Sequence, residues 1–169
     1  MTEPIAILIA DSDTMVRRFV GALLTQNGYV VHEAASGRDS LRLAREQRPD
    51  LVLLDVVMPG MNGLEVCREI KTDPSLQSVF VLLMSGLATD VQSEVSGRES
   101  GADDYLIKPF NESLLLARVR SLERVQQAEE KLRQLNQSLE QRVAERTAAL
   151  ETANRRLAGE IAERKRAEE

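Results

Sequence analysis

Asp50-Leu-Val-Leu-Leu-Asp55-Val-Val-Met-Pro59-Gly-Met-Asn-Gly63 is the stretch that decides the fold. Four apolar residues stand between two carboxylates. The run is too short for a helix and has no polar alternation, so it reads as a strand buried on both faces. It stops abruptly at Asp55, and Pro59-Gly60 and Asn62-Gly63 then mark a turn. The same pattern recurs along the chain. Ile5 to Ala10 is an apolar run ending at Asp11. Val79 to Met84 is another, ending at Ser85-Gly86, and Tyr105-Leu-Ile107 is a short one leading into Lys108-Pro109-Phe110. Tyr29 to Ala34 supplies the remaining strand.

Helical patterns fill the intervals. Val16, Phe19, Val20, Leu23 and Leu24 recur at helical spacing, and Asn27-Gly28 ends that helix. Ser36 caps a second helix carrying Leu41 and Leu43, which ends before Pro49. Leu64 to Lys71 is a third, and a polar helix is expected over roughly 89–100. Strands alternating with helices imply an α/β fold with a five-stranded, doubly wound parallel sheet. Such sheets bind ligands at the carboxyl ends of their strands, near the switch in strand order.

Those ends carry chemistry. The first strand delivers Asp11, Ser12 and Asp13, the third Asp55, the fourth Ser85 and the fifth Lys108. Clustered carboxylates repel, and a divalent cation relieves them. Hard oxygen donors around an open site suit Mg²⁺. An aspartate is a competent nucleophile toward phosphoryl groups. The lysine and hydroxyl can hold phosphoryl oxygens, so the set suits formation and hydrolysis of an aspartyl phosphate.

Composition narrows the alternatives. Of 169 residues, 27 are acidic and 22 are Lys or Arg, a net charge of −5. Residues 1–121 hold 17 acidic and 12 basic side chains; residues 122–169 hold 10 of each. Nothing indicates a basic nucleic-acid-binding surface. No apolar run approaches a membrane span, and no secretion signal opens the chain. Cys67 is alone, which leaves no disulfide framework or cysteine-rich metal site. These features point to the cytoplasm. His32, the single histidine, lies in a strand, so the chain lacks a phosphodonor histidine on an exposed helix.

Over about residues 5–121 the sequence resembles the receiver domains of two-component response regulators. The resemblance rests on Ile-Leu-Ile-Ala-Asp11, the 50–63 stretch, Met84-Ser85-Gly86 and Gly101-Ala-Asp-Asp-Tyr-Leu-Ile-Lys108-Pro109-Phe110. It implies a phosphoacceptor at Asp55, loaded by a histidine kinase or phosphotransfer protein, and no enzymatic activity beyond phosphoryl acceptance and autodephosphorylation. It further implies Mg²⁺ held by Asp11, Asp55 and the Val57 carbonyl. Lys108 would contact the phosphoryl group. Ser85 and Tyr105 would form the switch pair, and the bond before Pro109 would be cis.

One departure matters. The family usually has two adjacent acids after the first strand; here Ser12 stands second and Asp13 follows. Asp13 either substitutes as a metal ligand or caps the first helix. Weaker Mg²⁺ binding is expected. A receiver-like dimerisation scaffold that never takes phosphate is the alternative reading. Asp11-Ser-Asp13-Thr14 also matches the opening Asp-x-Asp of haloacid dehalogenase-type phosphatases, but the Asp55 to Gly60 segment has no role in that alternative.

Residues 122–169 contain no proline, no aromatic residue and one glycine, Gly159. Val125, Leu132 and Leu139 are seven apart, as are Val143, Leu150 and Leu157. The steps from Leu132 through Leu135 and Leu139 to Val143 are 3, 4 and 4, a stutter. Thr147 and Asn154 place polar groups in the seam. So narrow a stripe predicts a helix from about Asn111, roughly 85–90 Å long, that pairs with a second copy as a parallel coiled coil. The tail resembles linker helices that precede output domains. The expected organisation is a receiver at 1–121 and a dimerising linker at 122–169, cut short before an output domain.

Overall fold

The computed structural model describes residues 4–86 and 100–168. The expected polar helix at 89–100 lies almost wholly outside them. The described elements are β1 (Ala6–Ala10), α1 (Thr14–Gln26), β2 (Val30–Ala34), α2 (Gly37–Gln47), β3 (Leu51–Asp55), α3 (Gly63–Thr72), a 3-10 turn (Pro74–Leu76), β4 (Phe80–Ser85), β5 (Asp104–Ile107) and α4 (Glu112–Ala167).

The five strands are all parallel, in the order β2-β1-β3-β4-β5. The α/β doubly wound class expected from the alternating pattern is therefore the observed one, and it carries a long C-terminal helix. Each central strand buries both faces, and alternate residues serve opposite cores. Leu8, Ala10, Val52, Leu54, Val81 and Leu83 pack with α2 and α3 residues such as Leu41, Val66 and Ile70. Ile7, Ile9, Leu53, Leu82 and Met84 pack on the other side with Val20 and Leu24 of α1 and Leu115, Val119 and Leu122 of α4. Two-faced burial explains why β3 and β4 have no polar alternation.

Local sequence sets the helix ends. Asp13 caps α1, its side chain accepting from the Met15 amide. Ser36 caps α2, which closes on Arg48 in the left-handed conformation just before Pro49. At α3, Asn62 and Glu65 form a capping box, each side chain accepting the other's backbone N–H.

Chain contacts divide the molecule into two units, Met1–Gln126 and Gln127–Glu169. The first keeps α4 packed past residue 121. Tyr29 donates to Glu123 at 2.9 Å, and Gln126 donates to Asp50 at 2.8 Å. The second unit is helix with every described residue exposed.

Candidate functional site

Register places the strand-end groups in a row. Ala10 pairs with Leu54, so Asp11 follows beside Asp55. Asp55 pairs with Met84 and Ser85 with Ile107, which brings Ser85 and then Lys108 to the same sheet edge. β1 lies between β2 and β3, so Asp11 and Asp55 flank the point where strand order reverses.

Side chains converge there. Lys108 Nζ donates to Asp11 Oδ2 at 2.6 Å and to Asp55 Oδ1 at 3.1 Å. Both carboxylates are nearly inaccessible, at 1% and 6% residue exposure. Asp11 Oδ1 accepts the Asp13 amide at 2.8 Å, and the Arg17 guanidinium donates to the Asp11 carbonyl at 2.8 Å. The Tyr105 hydroxyl donates to Ser85 Oγ, and Ser85 Oγ donates to the Gly86 carbonyl. The Lys108–Pro109 peptide bond is cis. Ser12 and Asp13 are both exposed, and the Asp13 carboxylate is used on the α1 cap.

Several structural residues gave no sequence signal. Arg17 on α1 reaches back to Asp11 and also pairs with Glu33 at 3.5 Å. Asp103 accepts from Lys71 Nζ at 2.6 Å and from the Val81 amide at 2.7 Å, tying α3 to β4. Cys67 is buried on α3, with Sγ 3.5 Å from the Ser100 carbonyl.

The electrostatics of the row are unequal. Burial pushes the Asp55 carboxyl above the ordinary aspartate range. Hydrogen bonding and charge from Lys108 oppose this, the Asp11 charge adds to it, and the Val57 backbone lowers it again. Burial pulls Lys108 down, but its hydrogen bonds to Asp11 and Asp55 outweigh that and leave it raised. Two carboxylates thus share one ammonium. A raised carboxyl binds its proton more tightly when folded than when unfolded. Asp55 therefore costs stability increasingly as pH rises through its folded pKa. Asp55→Asn removes that cost and leaves Lys108 paired one-to-one with Asp11. In EDTA at pH 7 the variant is expected to melt higher than wild type. The gap should close as pH falls below the folded pKa of Asp55. A pH-independent difference in thermal melts would contradict this account.

Among the described residues, no group of three or more His, Cys, Asp or Glu is placed to share a cation. The donor set still fits a hard divalent ion. Two buried carboxylates exceed their one lysine by a full charge, and Mg²⁺ sites commonly use one or two carboxylates with waters.

A parallel doubly wound sheet with an acid pair and lysine on its carboxyl edge defines a receiver-type signalling domain. The family profile described as "Response regulator receiver domain" matches residues 7–120, and the chain belongs to this family of two-component signalling proteins. The transcriptional regulatory protein AfsQ1 of Streptomyces coelicolor is 43% identical over 117 residues, covering 69% of this chain and 50% of that protein. The response regulator PleD of Caulobacter vibrioides is 42% identical over 129 residues, covering 76% and 28%. A crystal structure of a putative response regulator from Chloroflexus aurantiacus superposes with TM-score 0.67 at 32% identity, covering 71% of this chain and 98% of that one. The chain spans half or less of the length of the curated relatives it matches. No helix among the described residues is long and apolar enough to cross a membrane.

Proposed function

We propose that this chain is a phosphorylation-dependent switch with Asp55 as phosphoacceptor. The observation that carries the reading is Lys108 Nζ held between Asp11 and Asp55 on the carboxyl edge of the sheet. An Asp55 carboxylate oxygen attacks the phosphorus of a phosphohistidine on a kinase or phosphotransfer protein. The P–N bond breaks, and the departing imidazole takes a proton. Lys108 stays charged throughout, since its hydrogen-bond partners raise its pKa, and it is positioned to pair with the new phosphoryl oxygens. Water later hydrolyses the acyl phosphate, which restores the carboxylate and releases phosphate.

Asp11, Asp55 and the Val57 carbonyl are the residues that would hold Mg²⁺. When bound, the ion neutralises charge on the phosphoryl oxygens. Asp13 joins only by leaving its cap. With a serine at position 12, the site has one carboxylate fewer than the usual family pattern. Ser12→Asp is expected to tighten Mg²⁺ binding roughly tenfold, read by titration calorimetry. An unchanged affinity would show that residue 12 does not face the ion.

Ser85 and Tyr105 form the proposed switch. The Ser85 hydroxyl proton is used on the Gly86 carbonyl, and its oxygen accepts from Tyr105. A phosphoryl group on Asp55 competes for that proton, turning Ser85 toward β3 and releasing Tyr105 to repack. We place the receiver at 1–121 and a coiled-coil linker at 122–169, through which two copies pair and pass the change to an output element. The greater length of the matched relatives supports an output element.

Ser12, together with the commitment of Asp13 to the helix cap, favours one competing reading, a receiver-like dimerisation scaffold that never takes phosphate. Incubation with acetyl phosphate and Mg²⁺, followed by intact-mass measurement, decides between them. Gain of one phosphoryl group supports the switch, and no gain supports the scaffold.

A further inference from the structure

The second unit carries an apolar stripe with nothing packed on it. Leu132, Leu135, Leu139, Val143, Leu150, Leu157 and Ile161 are each about half or more exposed. From Val143 onward the stripe falls into one heptad frame. Val143, Leu150 and Leu157 take d positions; Thr147, Asn154 and Ile161 take a positions. We propose that this segment pairs with a second copy of the chain in parallel and in register, with Asn154 facing Asn154 across the seam. The inference rests on the dimeric reading above and specifies its geometry.

Three observations carry it. Leucine at d with a β-branched or polar residue at a is the pattern that favours two parallel strands. A side-chain amide both donates and accepts. Two Asn154 amides therefore satisfy each other only where the a positions of both chains meet. An antiparallel pair instead sets each a position against a d position, leaving the amide against leucine.

The flanks agree. In a parallel in-register pair, each g position lies beside the e position five residues on in the other chain. Arg146 then meets Glu151, and Glu160 meets Lys165. Ala153 and Ala158 form the intervening pair, and Lys131 meets Asn136 in the segment before. No like charges face each other. Glu160 also accepts from Arg156 of its own helix at 2.9 Å, which leaves its second oxygen for the partner.

The phase slip points the same way. Carrying the frame of Leu132, Leu135 and Leu139 forward puts Arg142 in the seam, whereas Val143 occupies it. The frame moves by one residue between Leu139 and Val143. Parallel in-register chains put this irregularity at the same height in both.

Disulfide trapping in the full chain tests the geometry. Thr147→Cys and Ile161→Cys each add one exposed thiol; Cys67 is buried, and unsubstituted protein is the control. Each variant alone is expected to form a disulfide dimer under mild oxidation. A mixture should form no 147-to-161 bond. If 147 bonds only to 161, or if a sedimenting dimer bonds at neither position, the register proposal fails while dimerisation stands. A monomer at every concentration overturns both. Charge reversal supplies the second readout. Arg146→Glu and Glu151→Arg should each weaken the dimer about tenfold alone, and an equimolar mixture should restore it. No restoration on mixing counts against the pairing.

Discussion

Asp55→Asn is expected to lower phosphoryl uptake from acetyl phosphate and Mg²⁺ by at least about 10³-fold, below detection in an intact-mass measurement. The carboxylate oxygen is an anionic nucleophile that forms an acyl phosphate on attack. The amide oxygen is neutral, and its nitrogen carries protons that would have to leave. Neither Asp11 nor Asp13 replaces it. Asp11 accepts Lys108 Nζ at one oxygen and the Asp13 amide at the other, and Asp13 caps α1. The loss cannot be assigned to unfolding, because the same substitution should raise the melting temperature at pH 7. Equal mass gain in variant and wild type would place the phosphoryl group on another residue and remove the basis of the proposed switch.

Gly63→Ala should cost about 2–4 kcal/mol of stability, a fall in melting temperature on the order of 10 °C. A Cβ built on Gly63 lies 2.1 Å from the Asp55 carbonyl oxygen and 2.9 Å from both the Asp55 carbonyl carbon and Val56 Cα. All three are backbone atoms, so no side chain can rotate away. Either α3 moves off the sheet or the end of β3 moves. The Gly63 amide also donates to the Val56 carbonyl at 3.0 Å, so separation breaks that bond as well. Because β3 carries Asp55, phosphoryl uptake should slow in the fraction that remains folded. A chemical denaturation midpoint unchanged from wild type would show that the close approach relaxes at no cost. Gly60 is a useful control in the same loop. It has a φ of +82° but nothing within 4 Å of a built Cβ, so its substitution strains the backbone without driving the two elements apart.

The strand-end groups were legible because parallel topology leaves little freedom. Apolar runs of three to six residues ending in Asp11, Asp55, Ser85 and Lys108 fit one buried sheet, and strands running in one direction bring those ends to one edge. The helix starts were legible for a local reason. Ser36 and Asn62 satisfy orphan amides within three residues, where spacing in sequence and in space coincide. The long helix was legible from its heptad period and its lack of proline.

Tertiary structure decided what several polar groups are used for. Asp13 had two open roles in the sequence, metal ligand or cap, and backbone direction after β1 put its carboxylate on the Met15 amide. Asp103 carries no local signal of a role. Only the return of the chain beside β4 brings it to Lys71 and the Val81 amide, 32 and 22 residues away in sequence. The reach of α4 along the receiver likewise depends on Tyr29 meeting Glu123 and Asp50 meeting Gln126, contacts 94 and 76 residues apart. Periodicity and capping are short-range patterns that sequence states directly. Long-range polar pairing depends on which surfaces the fold brings together, and no local spacing encodes it. Short apolar runs and a heptad stripe were enough to set the parallel sheet, its polar carboxyl edge and the helical tail; which carboxylates hold Lys108 between them, and which are used on cross-links, follows from chain return over tens of residues.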